Sequence, residues 1–205
     1  MYLPKHFAET DIGVMHGLMR THPFATLVTQ GPDGLDANHI PLHLDPSAGP
    51  NGTLRGHIAR ANPLANDSTV NRKILAIFKG PDCYISPSGY ATKAEHGKVV
   101  PTWNYAAVHA HGELRLIDDR DWLRAQLDGL TAEHEADLPH PWSIDDAPAD
   151  YIDKMLGAVI GIEITIDRLV GKWKVSQNQP AANQASLIAA LDGQPMADLI
   201  RQQQQ

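Results

Sequence analysis

Cysteine is nearly absent: Cys83 stands alone among 205 residues. No internal disulfide can form and a cysteine-built zinc site is excluded, so a reducing compartment is the expected setting. Long apolar runs are missing too. Stretches such as residues 74–78 and 159–162 fall far short of the roughly 20 residues a membrane span needs. The opening Met-Tyr-Leu-Pro-Lys-His has no signal-peptide core. The expected location is therefore cytoplasmic, with no membrane partner. Basic excess is lacking as well, with 17 Lys+Arg against 24 Asp+Glu and a formal net charge of -7. Nucleic-acid binders show a domain-scale basic stripe, so this balance argues against direct DNA contact. Gly-x-Gly-x-x-Gly, Gly-x-x-x-x-Gly-Lys-Ser/Thr and His-Glu-x-x-His are all absent, which removes the starting point for dinucleotide-fold, P-loop and zincin readings.

The charge that is present is segregated. Residues 118–153 hold 11 acidic residues against Arg120 and Arg124, a local net of -9, which leaves the rest of the chain at +2. An acidic segment is attached to a mildly basic body, where a small anion held by a few local cations is allowed. The length suits one domain, residues 1–205, able to bury about 70% of its unfolded surface. Within it, residues 118–157 read as an acidic helical insert and residues 158–205 as a strand followed by a helical tail.

Thr10 is placed to cap a helix carrying Ile12, Met15, Leu18 and Met19 on one face and ending before His22-Pro23. Strands are expected at 24–30, 35–44, 53–60, 74–79 and 83–86, with turns at 31–34 and 80–82 and a long polar loop at 87–101. A long strand follows at 102–117, helices at 120–135 and 148–156, and a β-branched strand at 159–166. An amphipathic helix over 180–191 precedes a fraying end at 202–205. Many antiparallel strands with short turns and a late helical insert predict a closed β-barrel with added helices, an α+β fold.

Several segments can carry chemistry. In Arg55-Gly56-His57-Ile58-Ala59-Arg60-Ala61-Asn62-Pro63 a strand puts Arg55, His57 and Ala59 on one face and Gly56, Ile58 and Arg60 on the other. The turn beyond it offers free N–H groups beside Arg60, an anion site or, equally, a solvated strand edge. In residues 36–44, Asn38, Ile40, Leu42 and Leu44 share one face; Ala37, His39, Pro41 and His43 share the other. That mix suits a ligand-lined strand or a half-buried edge blocked by Pro41. Thr102, Trp103 and Asn104 follow a loop rich in hydroxyls, where Trp103 fits a planar ligand as well as a core. Lys172-Trp173-Lys174 leads into Ser176, Gln177 and Asn178, suited to a phosphate, a ring edge or another subunit. His109, His111 and Glu113 alternate, but three such residues on one strand are more often a solvated face than metal ligands, and no metal is expected. Cys83 lies in an apolar strand with no activating partner and reads as a packing thiol.

Taken together, Tyr2-Leu3-Pro4-Lys5-His6-Phe7, His22-Pro23-Phe24-Ala25-Thr26-Leu27, Ala37-Asn38-His39-Ile40-Pro41, residues 56–63, Phe78-Lys79-Gly80-Pro81, residues 100–105 and residues 172–178 resemble the PaiB-type proteins. These are FMN-binding split-barrel proteins labelled negative transcriptional regulators. The resemblance implies an FMN-binding split β-barrel, FMN as cofactor, and a homodimer with FMN at the subunit interface. Carried over by position, it assigns the phosphate to Arg60 and Asn62 with His57 nearby, because a near-dianionic group calls for charge-assisted donors. It puts Asn38 and His39 along the ribityl chain and ring edge, and Thr102, Trp103 and Asn104 near the isoalloxazine. Lys172, Trp173 and Gln177 then reach it from the partner subunit. Gly89 departs from the family's tryptophan after Ser-Pro-Ser, implying a more open substrate side. Hydride or electron transfer at the flavin, with no catalytic side chain assignable, is the activity implied. A repressor role and a haem-binding role on the same barrel, with His109 or His111 as ligand, are the competing readings.

Overall fold

Apolar residues at every second position, broken by glycine and proline turns, generate the strands in a computed structural model that describes residues 1–66 and 71–204. The elements in chain order are β1 (Ala8–Glu9), α1 (Ile12–Thr21), β2 (Phe24–Gly31), β3 (Gly34–Pro41), β4 (His43–Asp45), β5 (Thr53–Ala59) and the single turn α2 (Pro63–Asn66). They continue as β6 (Asn71–Ile85), α3 (Lys93–His96), β7 (Thr102–Ile117), α4 (Arg120–Glu135), α5 (Ala149–Gly157), β8 (Val159–Lys174), α6 (Ala181–Ala190) and α7 (Pro195–Gln202).

The strands make an eight-stranded sheet in the order β3-β2-β6-β7-β8-β5-β4, with β1 beside β8. The expected closed ladder is corrected: β3 and β4 are its two ends, although one residue, Leu42, separates them in the chain. Pro41 has no N–H to give, and the Leu42 N–H goes to the Pro23 carbonyl (2.9 Å), so the ladder is interrupted there.

The chain divides into two compact units, and β6, β7 and β8 contribute residues to each. The first comprises Met1–Leu18, Phe78–His109 and Val170–Gln205. Its core gathers Met15, Phe78, Ile85, Val108, Trp173, Val175, Leu187 and Met196, all buried. The second comprises Met19–Ile77 and Ala110–Leu169. Here β2 pairs with β3 (Leu27 opposite Asn38) and β5 with β8 (Ile58 opposite Ile160), both antiparallel. Leu27, Leu42, Leu54, Leu123, Ile162 and Ile164 fill its interior.

Three further expectations change. Asp11, not Thr10, caps α1: its Oδ1 accepts the N–H groups of Gly13 (2.7 Å) and Val14 (3.2 Å). Gly80-Pro81-Asp82 does not turn, because β6 runs straight through it. Gly80 is needed there for close approach, since a Cβ would stand 2.8 Å from Leu18 Cδ1. The end of the chain is more structured than expected. Helix α7 buries Met196, Ala197 and Ile200, and Gln204 donates to Gln184 Oε1 (3.0 Å). Residue 205 lies outside the described residues.

Candidate functional site

The residues singled out by sequence fall into two groups, one in each unit. In the second unit, β5 keeps its predicted faces, with Gly56 and Ile58 buried and Arg55 and His57 half-exposed. Arg55 works as a tie between strands: it donates to Asp45 (3.0 Å) and to Glu163 (3.1 Å), which also accepts from Arg115 (2.7 Å). Burial pushes the Glu163 carboxyl up, but the Arg115 and Arg55 guanidiniums outweigh it and hold it below the usual range. A depressed carboxylate stabilises the fold above its unfolded value, about 4.3 for Glu, and this contribution is lost as pH falls through the folded value. The thermal midpoint of the parent should therefore fall more steeply below about pH 4 than that of Glu163→Gln, which is expected to be less stable at pH 7. Parallel unfolding curves across the acid range would refute this.

Asn38 and Asn62, distant in sequence, are brought together: Asn62 Nδ2 donates to Asn38 Oδ1 (2.8 Å), while Asn62 Oδ1 accepts the Leu64 N–H (2.9 Å) at the start of α2. Asn38 Nδ2 donates in turn to Asp36 (3.2 Å). His39 is outward on β3, with Nδ1 3.2 Å from Thr26 Oγ1 and its ring stacked 6.1 Å from Phe24. His57 Nδ1 lies 3.1 Å from Gln126 Oε1, and the other amide atom of this buried glutamine, Nε2, has no partner among the described residues. Arg60, just beyond β5, donates from Nη1 and Nη2 to both oxygens of Asp118 (2.9 and 2.6 Å) and from Nε to the Gly157 carbonyl (3.1 Å). The Asp118 hydrogen bonds raise the guanidinium's affinity for its proton, and those to Arg60 lower that of the carboxylate.

In the first unit, alternation along β8 puts Lys172 and Lys174 on one face and Trp173, 4% exposed, in the core on the other. Lys172 is itself only 7% exposed. Its Nζ donates to the Tyr2 carbonyl (3.0 Å) and lies 5.2 Å from the Tyr105 ring centre and 5.7 Å from that of Tyr2. Lys174, which the sequence reading did not select, donates to Thr102 Oγ1 and to the Trp103 carbonyl (2.6 Å). Burial, and then the neighbouring Lys172, lower its affinity for a proton. Among the described residues neither lysine pairs with a carboxylate. The alternation in Lys172-Trp173-Lys174 was the signal that could have found it.

Trp103 is 54% exposed, edge-on to the exposed Tyr84 at 6.1 Å. Asn104 faces inward: Nδ2 donates to Ser176 Oγ (2.8 Å), and the buried Oδ1 has no partner among the described residues. Ser176 is the one non-glycine residue among the described residues held at positive φ (65°), a strained conformation of the kind that gathers at functional sites. Gln177 is engaged locally, donating to the Trp173 carbonyl (2.5 Å) and accepting the Val175 N–H (2.8 Å). At Gly89 a Cβ would meet Leu187 Cδ2 at 2.9 Å, so α6 packs where a larger residue would begin. Glu113 is paired with Lys73 (3.0 Å).

Two ammonium groups without a counter-charge, flat exposed rings and an orphaned buried acceptor make a donor set that fits an anionic, planar cofactor such as FMN. Residues 1–168 match the family model described as "Putative FMN-binding domain". The chain is 35% identical over 243 residues to an uncharacterized protein of Emericella nidulans, covering 98% of this chain and 97% of that protein. It is 27% identical over 194 residues to protease synthase and sporulation protein PAI 2 of Bacillus subtilis, covering 95% and 90%. In structure it is similar to the FAD and heme binding protein from Mycobacterium smegmatis, with a TM-score of 0.58 and 17% identity over 89% of this chain and 79% of that one. No helix among the described residues is long and apolar enough to cross a membrane.

Proposed function

The chain belongs to the FMN-binding domain family, with FMN as its cofactor, and from that premise we propose that it is a flavin-dependent redox protein working as a homodimer. The observation that carries this reading is the lysine pair of β8, one buried and one half-buried cation without a carboxylate partner among the described residues. FMN, when bound, supplies hydride or electron transfer, and the protein's part is to hold and tune it.

Arg60 and Asn62, with His57 beside them, are the proposed holders of the phosphate, and Asn38 and His39 line the chain that leads from it. Arg60 is available despite Asp118, because the pair is open to solvent (38% and 66% exposed). An exposed ion pair is weakly held, and a near-dianion with several acceptor oxygens competes well for a guanidinium. Lys172 and Lys174 present their positive field to the flavin of a second copy. Support for the dimer comes from the outward face of β2 and β3, where Phe24 (67% exposed) lies opposite Pro41, and Val28 opposite Ala37.

Titration of purified protein with FMN should give a saturable flavin absorbance and fluorescence change, followed by bleaching with NAD(P)H under anaerobic conditions. Absence of any FMN affinity would refute the reading; a Soret band on haem addition in its place would favour the haem alternative. Phe24→Asp should move the protein from dimer to monomer in analytical ultracentrifugation. An unchanged dimer would show that the interface lies elsewhere. The acidic insert weighs against direct operator binding, so a gel shift at low salt should show no complex.

A further inference from the structure

The acidic insert, together with His57 of β5 and Val159 of β8, lines a cavity of about 280 Å³, and of its lining residues the flavin reading uses His57. Its wall is mainly apolar, with Leu127 from α4, Trp142 from the connecting segment, and Tyr151, Ile152 and Met155 from α5, and it carries His57 and Thr131 as polar members. Three of these large side chains stay exposed around it: Trp142 at 45%, Tyr151 at 54% and Met155 at 39%. Helix surfaces ordinarily bury such residues, and their clustering about one opening marks a ligand-sized apolar site.

The field there is negative. The Glu135 carboxylate accepts the backbone N–H of Trp142 (2.9 Å), which places an anion at the cavity wall. Asp150 immediately precedes Tyr151, is exposed, and enters no hydrogen bond or ion pair among the described residues. The two arginines of the insert are already compensated, Arg120 by Asp153, and Arg124 by Asp128 and Asp145. Lys154, one residue beyond the segment whose local net is -9, is exposed.

We propose that this cavity is a binding site for a small organic ammonium ligand, an amine carried on one aromatic or branched apolar body. The apolar wall removes the body from water, the electron-rich faces of Trp142 and Tyr151 attract the ammonium, and Glu135 and Asp150 supply its counter-charge. An apolar anion of the same shape meets the same wall but an opposing field.

The test uses the full chain loaded with FMN and two probes of matched shape, 2-phenylethylamine and 3-phenylpropionate, followed by calorimetry and amide NMR. The amine should bind at least about tenfold more tightly than the acid at low ionic strength, and the preference should shrink as salt screens it. Amide shifts should centre on residues 142–155. Asp150→Asn with Glu135→Gln should cut the preference several-fold, and Trp142→Ala should abolish binding of the amine, with FMN affinity unchanged in both as the sign of an intact fold. Equal binding of amine and acid, a preference untouched by Asp150→Asn with Glu135→Gln, or shifts centred elsewhere would each overturn the proposal. None of these outcomes depends on whether Arg60 holds the FMN phosphate.

Discussion

Arg60→Ala should weaken FMN binding by about 10- to 100-fold, read as the midpoint of a flavin fluorescence titration, because it deletes charge-assisted donors to the phosphate. The same change should leave the unfolding midpoint nearly where it was. Its partner Asp118 is open to water and is hydrated at little cost once the guanidinium is gone. Asp118→Asn separates the two roles of this pair. If the carboxylate competes with phosphate for Arg60, the variant binds FMN at least as tightly as the parent. If Asp118 instead orients Arg60, affinity falls alongside Arg60→Ala. FMN affinity that is indifferent to Arg60→Ala would remove the phosphate assignment and leave the lysine pair of β8 as the cationic group to examine, through Lys172→Met and Lys174→Met.

Gly112→Val should destabilise the protein by about 3 kcal/mol or more, the range of severe backbone and overpacking defects. A Cβ at Gly112 would stand 2.3 Å from the Thr165 carbonyl oxygen and 2.9 Å from Ile164 Cγ2. A flexible side-chain tip could swing aside; a carbonyl fixed in strand β8 cannot, so β7 and β8 must separate locally. Gly129→Ala is the matched contrast. It sits in the interior of α4 with nothing within 4 Å of an added Cβ, and alanine there should raise stability by about 0.5–1 kcal/mol. Chemical denaturation of both variants decides the matter, and a Gly112→Val protein as stable as the parent would show that the two strands can part cheaply.

Where the sequence reading succeeded, the information was local. Alternation along residues 55–58 put Arg55 and His57 on one face and Gly56 and Ile58 on the other, and in the fold the second pair is the buried one. The helix expected at 120–135 is α4, with the same bounds. It failed where a local signal was overruled from a distance. Gly80-Pro81-Asp82 carries turn chemistry, yet α1 packs against Gly80 and the strand stays extended. Helix α7 was missed because Gly193 and the glutamine-rich end speak for disorder, while burial of Met196, Ala197 and Ile200 is what orders it. Asn38 and Asn62 were each suspected, but nothing in the chain says that one amide donates to the other.

The sequence by itself determined the α+β strand pattern, which residues share a strand face, the net negative charge of residues 118–153 and the family with its cofactor. Tertiary structure alone decided which cations are already neutralised. Arg60 meets Asp118 across 58 residues of chain, whereas the buried Lys172 and the half-buried Lys174 meet no carboxylate among the described residues. Composition counts all three alike. Coulomb energy falls with separation and grows as water is excluded, and both quantities exist only once the chain has folded.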